Sequence, residues 1–459
     1  MGRLTLHDMP VPVPDMTEIA LASLPSAVDH PSHSSAFRLD PYWHGLWAWG
    51  SSAAWESRQL ADRLAAAGVR DLNVRDARYD AETSRQRLTG HHGALASLGA
   101  VAMWRTLTSD QVSAFAGWVP PEVLDLDPGD ATGPWSSMAR WRDNPVALRL
   151  LWSAGMVERG TVNVKRNGLP YLYRTIRTNE TDGFIRRLPF PTWLQVTAGQ
   201  QWTEGPRHDR HNVLGAELAL RIAEHCEVST VMGESVCGHH LLDVSGRRTK
   251  ASSDAADLVV VRDDGLRIVF ETTAHRSGLE RKISRWLDLL SETSFDESGT
   301  VVCFVEAAHP DGDMSGTTFN KLRRLLSAAI ASRPEGVSRR LAERVAIVRW
   351  NWWFPSPLHV SPGFLTLEAH RPTGRGTDRW QPAHLLDVTD VEFRPPRPEL
   401  HQAVIDNSAH LLGVPYWLRR DRHGFDIDRF MLEQAGLAGG PLDPAVRGLA
   451  AAPPLDGHR

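Results

Sequence analysis

The chain has 459 residues, more than one ordinary core accommodates, so two to four domains are expected. A hydrophobic content of 42% and a charged content of 23% exclude a disordered polymer, and a net charge of −4 excludes a uniformly basic nucleic-acid coat. Three cysteines (Cys226, Cys237 and Cys303) with no CxxC pair argue against a disulfide framework and for a reducing cytoplasm.

Residues 1–40 are rich in Pro, Ser and His and read as mostly irregular; the opening MGRLTLHDMPVPVPDM has no apolar core of signal-peptide type. PYWHGLWAWG then crowds Tyr42, Trp43, Trp47 and Trp49 together. Such aromatics can stack on bases or meet a partner protein, but a local core or domain contact is the leading reading. A helix is predicted near Trp55–Ala67, stopping at Gly68.

From about Trp104 the pattern changes. LTSDQVSAFAG predicts a capped helix starting at Thr108 or Ser109. PVALRLLWSAGMVERG predicts a second, with Pro145 in its first turn, an apolar stripe of Leu148, Leu151 and Trp152, and a stop at Gly155. TVNVKRNGLPYLYRTIR predicts two strands around an Asn167-Gly168 turn. Charge is concentrated here: residues 135–190 hold ten Lys/Arg against four Asp/Glu. Helices followed by a basic hairpin resemble a winged helix-turn-helix. Arg149, Lys165, Arg166, Arg174 and Arg177 would then contact DNA phosphates or grooves. The alternative is a packing module whose arginines face water.

Residues 207–355 predict helix, strands, helix, strand, helix, strand, an α/β order. The expected elements are a helix over Asn212–His225, an irregular strand pair within Glu227–Val244, strands Ala256–Arg262 and Leu266–Thr273, and a helix over Leu279–Leu290. Strand Thr300–Glu306, helix Thr317–Ser332 and strand Arg344–Trp353 follow. In Ile347–Phe354, Trp350, Trp352 and Trp353 read as core residues ahead of a stacking platform. Arg371–Pro398 reads as a linker to a C-terminal segment holding Trp417. The longest window without Lys, Arg, Asp or Glu, Trp350–Leu367, is broken by three prolines, so no membrane span is expected.

Two acids in the second unit sit where acids are costly. Asp257 precedes the apolar run LVVV, and Glu271 ends the run LRIVF; the turn Asp263-Asp264-Gly265 joins the two strands directly. Paired carboxylates at the ends of adjacent strands suit a hard cation such as Mg²⁺. Glu217 is the lone charge in VLGAELAL and either reaches solvent or serves the same site. His211, less than two turns earlier, lines that pocket or is satisfied by backbone groups. Strand-end acids can also cap loops or pair with Arg262, Arg267, Arg276 or Arg281. Cys237-Gly-His239-His240 lacks a second ligand pair, so zinc is not expected.

The arrangement resembles the PD-(D/E)XK nuclease superfamily. Ala256-Asp257 matches its Pro-Asp, Glu271-Thr272-Thr273 its Glu-x-Lys, and Glu217 its helical acid; Thr273 stands where the lysine belongs. Some members move that lysine to the next helix, where Lys282 stands here, though Lys282 also reads as an ordinary solvated lysine. The winged helix before such a domain also resembles the replication-relaxation family of actinobacterial mobile elements. AGMVERG, His211 with Glu217, Asp257-Leu258-Val259-Val260 and Phe270-Glu271 followed by Lys282 carry that likeness, over roughly residues 104–350.

The resemblance implies a mixed α/β chain. Residues 1–100 form a Trp-rich, partly irregular region, 101–200 a winged helix-turn-helix, 207–370 a nuclease-like domain, and 371–459 a linker and C-terminal extension. It implies a DNA-binding protein of a mobile element, acting in plasmid replication or transfer, that cuts or nicks DNA with Mg²⁺ or Mn²⁺. Asp257 and Glu271 would hold the metal, with Glu217 and Lys282 completing the catalytic set. The alternative is a catalytically silent regulator or assembly component that keeps the nuclease fold, with a protein partner on the Trp-rich region.

Overall fold

The computed structural model describes residues 11–43, 46, 53–69, 79–118, 146–162, 170–205, 208–238, 256–274, 277–313, 316–373 and 379–419. It is a mixed α/β structure built on a seven-stranded and a four-stranded sheet, with a separate two-stranded pair.

The first strand, β1 (Ile19–Ala20), lies in the largely irregular N-terminal segment. The four-stranded unit begins with β2 (Ala53–Glu56), followed by α1 (Arg58–Ala66), α2 (Ala81–Leu88) and α3 (His92–Trp104). The helix expected near Trp55–Ala67 therefore starts later. Ser57 accepts a hydrogen bond from the Leu60 amide as its N-cap, while Trp55 lies in β2 opposite Gly160. Next come β3 (Thr106–Thr108), α4 (Ser109–Ala116) and α5 (Val146–Ser153). Thr108 and Gln111 form a reciprocal capping box on α4, which Gly117 ends with φ 81°. Strands β4 (Val157–Val162) and β5 (Leu172–Thr175) are the expected hairpin, whose tip lies outside the described residues. The sheet order is β2-β4-β5-β3, all antiparallel, so β3 and β4 flank β5.

Helices α6 (Asn179–Arg187) and α7 (Phe190–Thr197) lead into α8 (Asp209–His225). The strands β6 (Thr230–Gly233), β7 (Leu258–Val261) and β8 (Arg267–Thr273) then pair antiparallel in sequence order. After α9 (Leu279–Glu292), β9 (Thr300–Glu306) joins β8 in parallel. Helices α10 (Thr317–Ala331) and α11 (Glu335–Ala342) precede β10 (Val345–Arg349), which is parallel to β9. Every residue of β7, β8 and β9 is buried, which is why these strands read as continuous apolar runs. At the β7–β8 turn, Gly265 takes φ 84°, and a Cβ there would stand 2.4 Å from the His401 Cβ.

Two expectations fail beyond β10. The chain leaves the strand at Arg349 and Trp350–Trp353 form one helical turn that buries Trp350, Trp352 and Trp353 in the core. A short strand, β11 (His359–Val360), pairs with β1. The first part of the expected linker, up to His384, is instead sheet: β12 (Glu368–Thr373) and β13 (Arg379–His384) extend the order to β13-β12-β10-β9-β8-β7-β6. The prolines that suggested a linker, Pro372 and Pro382, lie in this outermost pair, where a missing N–H is tolerated. The last described α-helix, α12 (Pro398–Ser408), precedes Trp417, which is buried in a short 3-10 turn.

The two main sheets share one apolar core. Gly233 of β6 shows how closely α3 packs against the larger sheet, since a Cβ there would meet the Trp104 ring at 2.7 Å. Among the described residues no helix is long and apolar enough to cross a membrane.

Candidate active site

The β7–β8 hairpin sets the site. With Leu258 opposite Phe270, Asp257 falls beside Glu271 and Thr272, and its Oδ2 accepts the Thr272 amide at 2.5 Å. Glu271 is fully buried, and the Trp286 indole Nε1 donates to its Oε1 at 2.6 Å. A carboxylate in such a place needs cations, and α9 supplies two. Lys282 ion-pairs with Glu271 Oε2, and its Nζ lies 3.9 Å from Asp257 Oδ2; Arg285 Nη2 stands 3.5 Å from Glu271 Oε1. Lys282, Arg285 and Trp286 sit three and four residues apart, so one stripe of α9 covers the acid. From the start of α8, His211 Nε2 meets Asp257 Oδ1 at 2.5 Å. The Glu271 side chain is fully buried, whereas those of Asp257, His211 and Lys282 are 11%, 22% and 25% exposed, so the solvent-facing side of the site is formed by these three.

The charges separate the two acids. Burial would raise Asp257, but the charges of His211 and Lys282, with hydrogen bonds from His211 and the Thr272 amide, outweigh it and hold that carboxyl at about 2. Glu271 goes the other way: burial pushes it up, against the pull of Lys282 and with a further push from Asp257. Lys282 is raised overall, because the two carboxylates outweigh the burial that opposes its charge.

Glu217 does not join this group. It is fully buried between Arg38, at 3.1 Å, and Arg221, at 3.0 Å, and also accepts from Gln111 Nε2 at 3.2 Å. Arg221 continues to Asp40 at 3.0 Å, and Arg38 to Glu224 at 3.4 Å. Glu217 thus anchors the N-terminal segment onto α8. Six residues along a helix turn a side chain about 120° away from that of His211, so one helix serves both the site and the anchor. The helical position at the acids belongs to His211.

Three contributors were missed. Arg285 and Trp286 lie one turn beyond Lys282, a spacing that could have revealed them. Glu234, directly after β6, is raised by burial, with Arg105 opposing and the Asp257 charge adding to the rise. Its position at the end of the apolar run TVMG carries the same signal as Asp257 before LVVV.

The expected DNA contacts divide. Arg149 is half-buried on α5 and makes no hydrogen bond or ion pair among the described residues. Arg174 is held inside the protein by Glu158 at 2.8 Å and Asp209 at 3.6 Å, with its guanidinium 4.0 Å from the Trp55 ring centroid. Arg177 pairs with Asp182 at 3.2 Å and keeps a partly exposed side chain. Lys165 and Arg166 lie outside the described residues. In the aromatic cluster, Tyr42 stacks on Trp350 and Trp43 Nε1 donates to the Phe354 carbonyl at 2.7 Å, both internal contacts; Trp47 and Trp49 lie outside the described residues.

No group of three or more His, Cys, Asp or Glu side chains gathers in a metal-holding arrangement among the described residues. Two carboxylates are nonetheless within the donor set Mg²⁺ uses, because that ion keeps several waters and takes substrate phosphate oxygens. Among the described residues, Glu271 Oε2 takes no hydrogen bond beyond its Lys282 ion pair, and the Thr272 and Thr273 hydroxyls beside it are buried without a hydrogen-bond partner. Hard oxygen donors therefore fit such an ion in kind. Protein-family models, curated proteins and solved structures yield no match to the chain.

Proposed function

We propose that the chain is a DNA-binding protein of the replication-relaxation type, with a winged helix and a PD-(D/E)XK-like domain that cleaves phosphodiesters in the cytoplasm. The order α3-β3-α4-α5-β4-β5, with β3 and β4 both pairing β5, supports the winged helix. The order α8-β6-β7-β8-α9-β9, with an antiparallel trio and a parallel fourth strand, supports the nuclease-like domain.

One observation carries the catalytic part. Lys282 delivers an ammonium to Glu271 and toward Asp257, which is the charge that Thr273 cannot supply. Asp257 and Glu271 would hold Mg²⁺ or Mn²⁺, which when bound supplies Lewis-acid activation of phosphate and water. Lys282 offsets charge on the phosphate while water attacks phosphorus and the leaving oxygen departs with a proton. Trp286 fixes the Glu271 carboxylate, and His211 fixes that of Asp257.

A second reading, a silent nuclease fold kept as a DNA-docking surface, is favoured by the occupied carboxylates: each of the four oxygens faces a nitrogen, Glu271 Oε2 that of Lys282, and Arg285 adds a second cation. Plasmid nicking with Mg²⁺ or Mn²⁺, run beside Glu271→Ala and Lys282→Ala, decides between them. Metal-dependent nicking lost in both variants supports the enzyme. Salt-sensitive DNA binding without nicking supports the silent fold.

A further inference from the structure

Helix α5 packs Leu148, Leu151 and Trp152 into the core, and its opposite side carries Val146, Arg149 and Leu150 at helical spacing. In a winged helix this outward side is the one offered to DNA. Here it is not an isolated ridge. Helix α2 stands beside it, tied to the end of α5 by Arg85 Nη1 donating to the Ala154 carbonyl at 3.0 Å. Between the two helices runs a cavity of about 990 Å³, lined by those three α5 residues and by Tyr79, Arg87 and His91, among others. No carboxylate occurs among its described lining residues. The Arg87 guanidinium covers the Tyr79 ring at 3.7 Å from its centroid.

We infer that this groove binds an unpaired, single-stranded segment of DNA, an inference that rests on the DNA-binding reading above. A helix is roughly 10–12 Å across, which fills a B-form major groove of about 12 Å; α5 with α2 alongside is too broad to enter. A single strand has no such requirement. Its bases need a planar surface, which the Arg87–Tyr79 pair presents, and apolar walls, which Val146 and Leu150 supply. Its phosphates need a cation without a competing partner, and Arg149 has none among the described residues. The absence of carboxylates among the described lining residues removes the repulsion that would oppose an anion.

The test uses the full chain and fluorescence anisotropy, with a labelled single-stranded oligodeoxynucleotide and the duplex of the same sequence. Wild type binds the single strand more tightly. Arg149→Ala weakens that binding about tenfold and lowers its salt slope by about 0.7. Val146→Glu, at a position 59% exposed and so tolerant of change, weakens it similarly by placing a carboxylate at the groove mouth. Thermal melts followed by circular dichroism establish that both variants are folded. Single-strand affinity unchanged in both folded variants, or a wild type that prefers duplex, overturns the groove while DNA binding stands. No binding to either form overturns the groove together with the DNA-binding reading.

Discussion

Lys282 on α9 and Glu271 on β8 form an ion pair whose acid is fully buried and whose lysine is one-quarter exposed. The glutamate therefore depends on the lysine more than the lysine depends on it. Removing one member of a buried pair strands the other charge, whereas removing both need not.

Lys282→Ala is accordingly expected to destabilise the chain by about 1–3 kcal/mol, discounted from the fully buried range because the ammonium reaches solvent and Arg285 remains. Lys282→Met with Glu271→Leu should recover most of that loss. Urea unfolding of Lys282→Ala and of the double checks this; a double variant no more stable than Lys282→Ala would mean that the pair is not coupled.

Trp286→Phe removes the indole N–H from Glu271 and keeps most of the ring volume. An acceptor left wanting in the interior costs about 1–3 kcal/mol. The unfolding midpoint should fall accordingly, and any nicking activity should fall with it, since the carboxylate loses its orientation. A midpoint equal to wild type would show that the 2.6 Å contact contributes nothing net.

Glu217→Ala and His211→Ala should separate anchor from site. The first leaves Arg38 and Arg221 buried around an empty space and should cost about 3–5 kcal/mol, freeing the N-terminal segment to limited proteolysis. The second removes a partly exposed partner of Asp257 and should change stability by about 1 kcal/mol or less while altering activity or metal affinity. Equal stability losses in the two would contradict the assignment.

Stability should fall with mild acid. Burial lowers His33, His370 and His401 from 6.5 to about 4 each, so the folded chain binds fewer protons than the unfolded chain between these values. Their neutral forms are therefore fully compatible with the fold above about pH 6.5. Stability is lost progressively as pH drops toward 4, by about 3 kcal/mol for a wholly buried imidazole such as His33. Urea midpoints measured from pH 7 to 4.5 should decline, and less steeply in His370→Phe. A flat profile would refute the assignment of buried, neutral histidines.

Much of this arrangement can be read along the chain, for a local reason. Strands buried on both faces must be apolar throughout, so LVVV and TVVCFV declare themselves, and an acid at the end of such a run signals a partner nearby. Asp257 and Glu271 come together because the short connection from Arg262 to Leu266 fixes their register, and that turn is a local feature. Lys282 follows Glu271 by eleven residues, close enough for helical spacing to suggest it. The fate of Glu217 was beyond such reasoning. An apolar helix around one carboxylate shows that a counter-charge is needed, but Arg38 lies 179 residues away, and nothing in local pattern ranks it above other arginines. The same limit hid β12 and β13, whose prolines mimic a linker until an existing sheet edge gives them somewhere to pair. It also hid the position of α2 beside α5, which follows from how separate segments pack and not from the periodicity of either helix. Short-range geometry wrote the acids into the sequence; the choice among distant partners was made when the chain closed on itself.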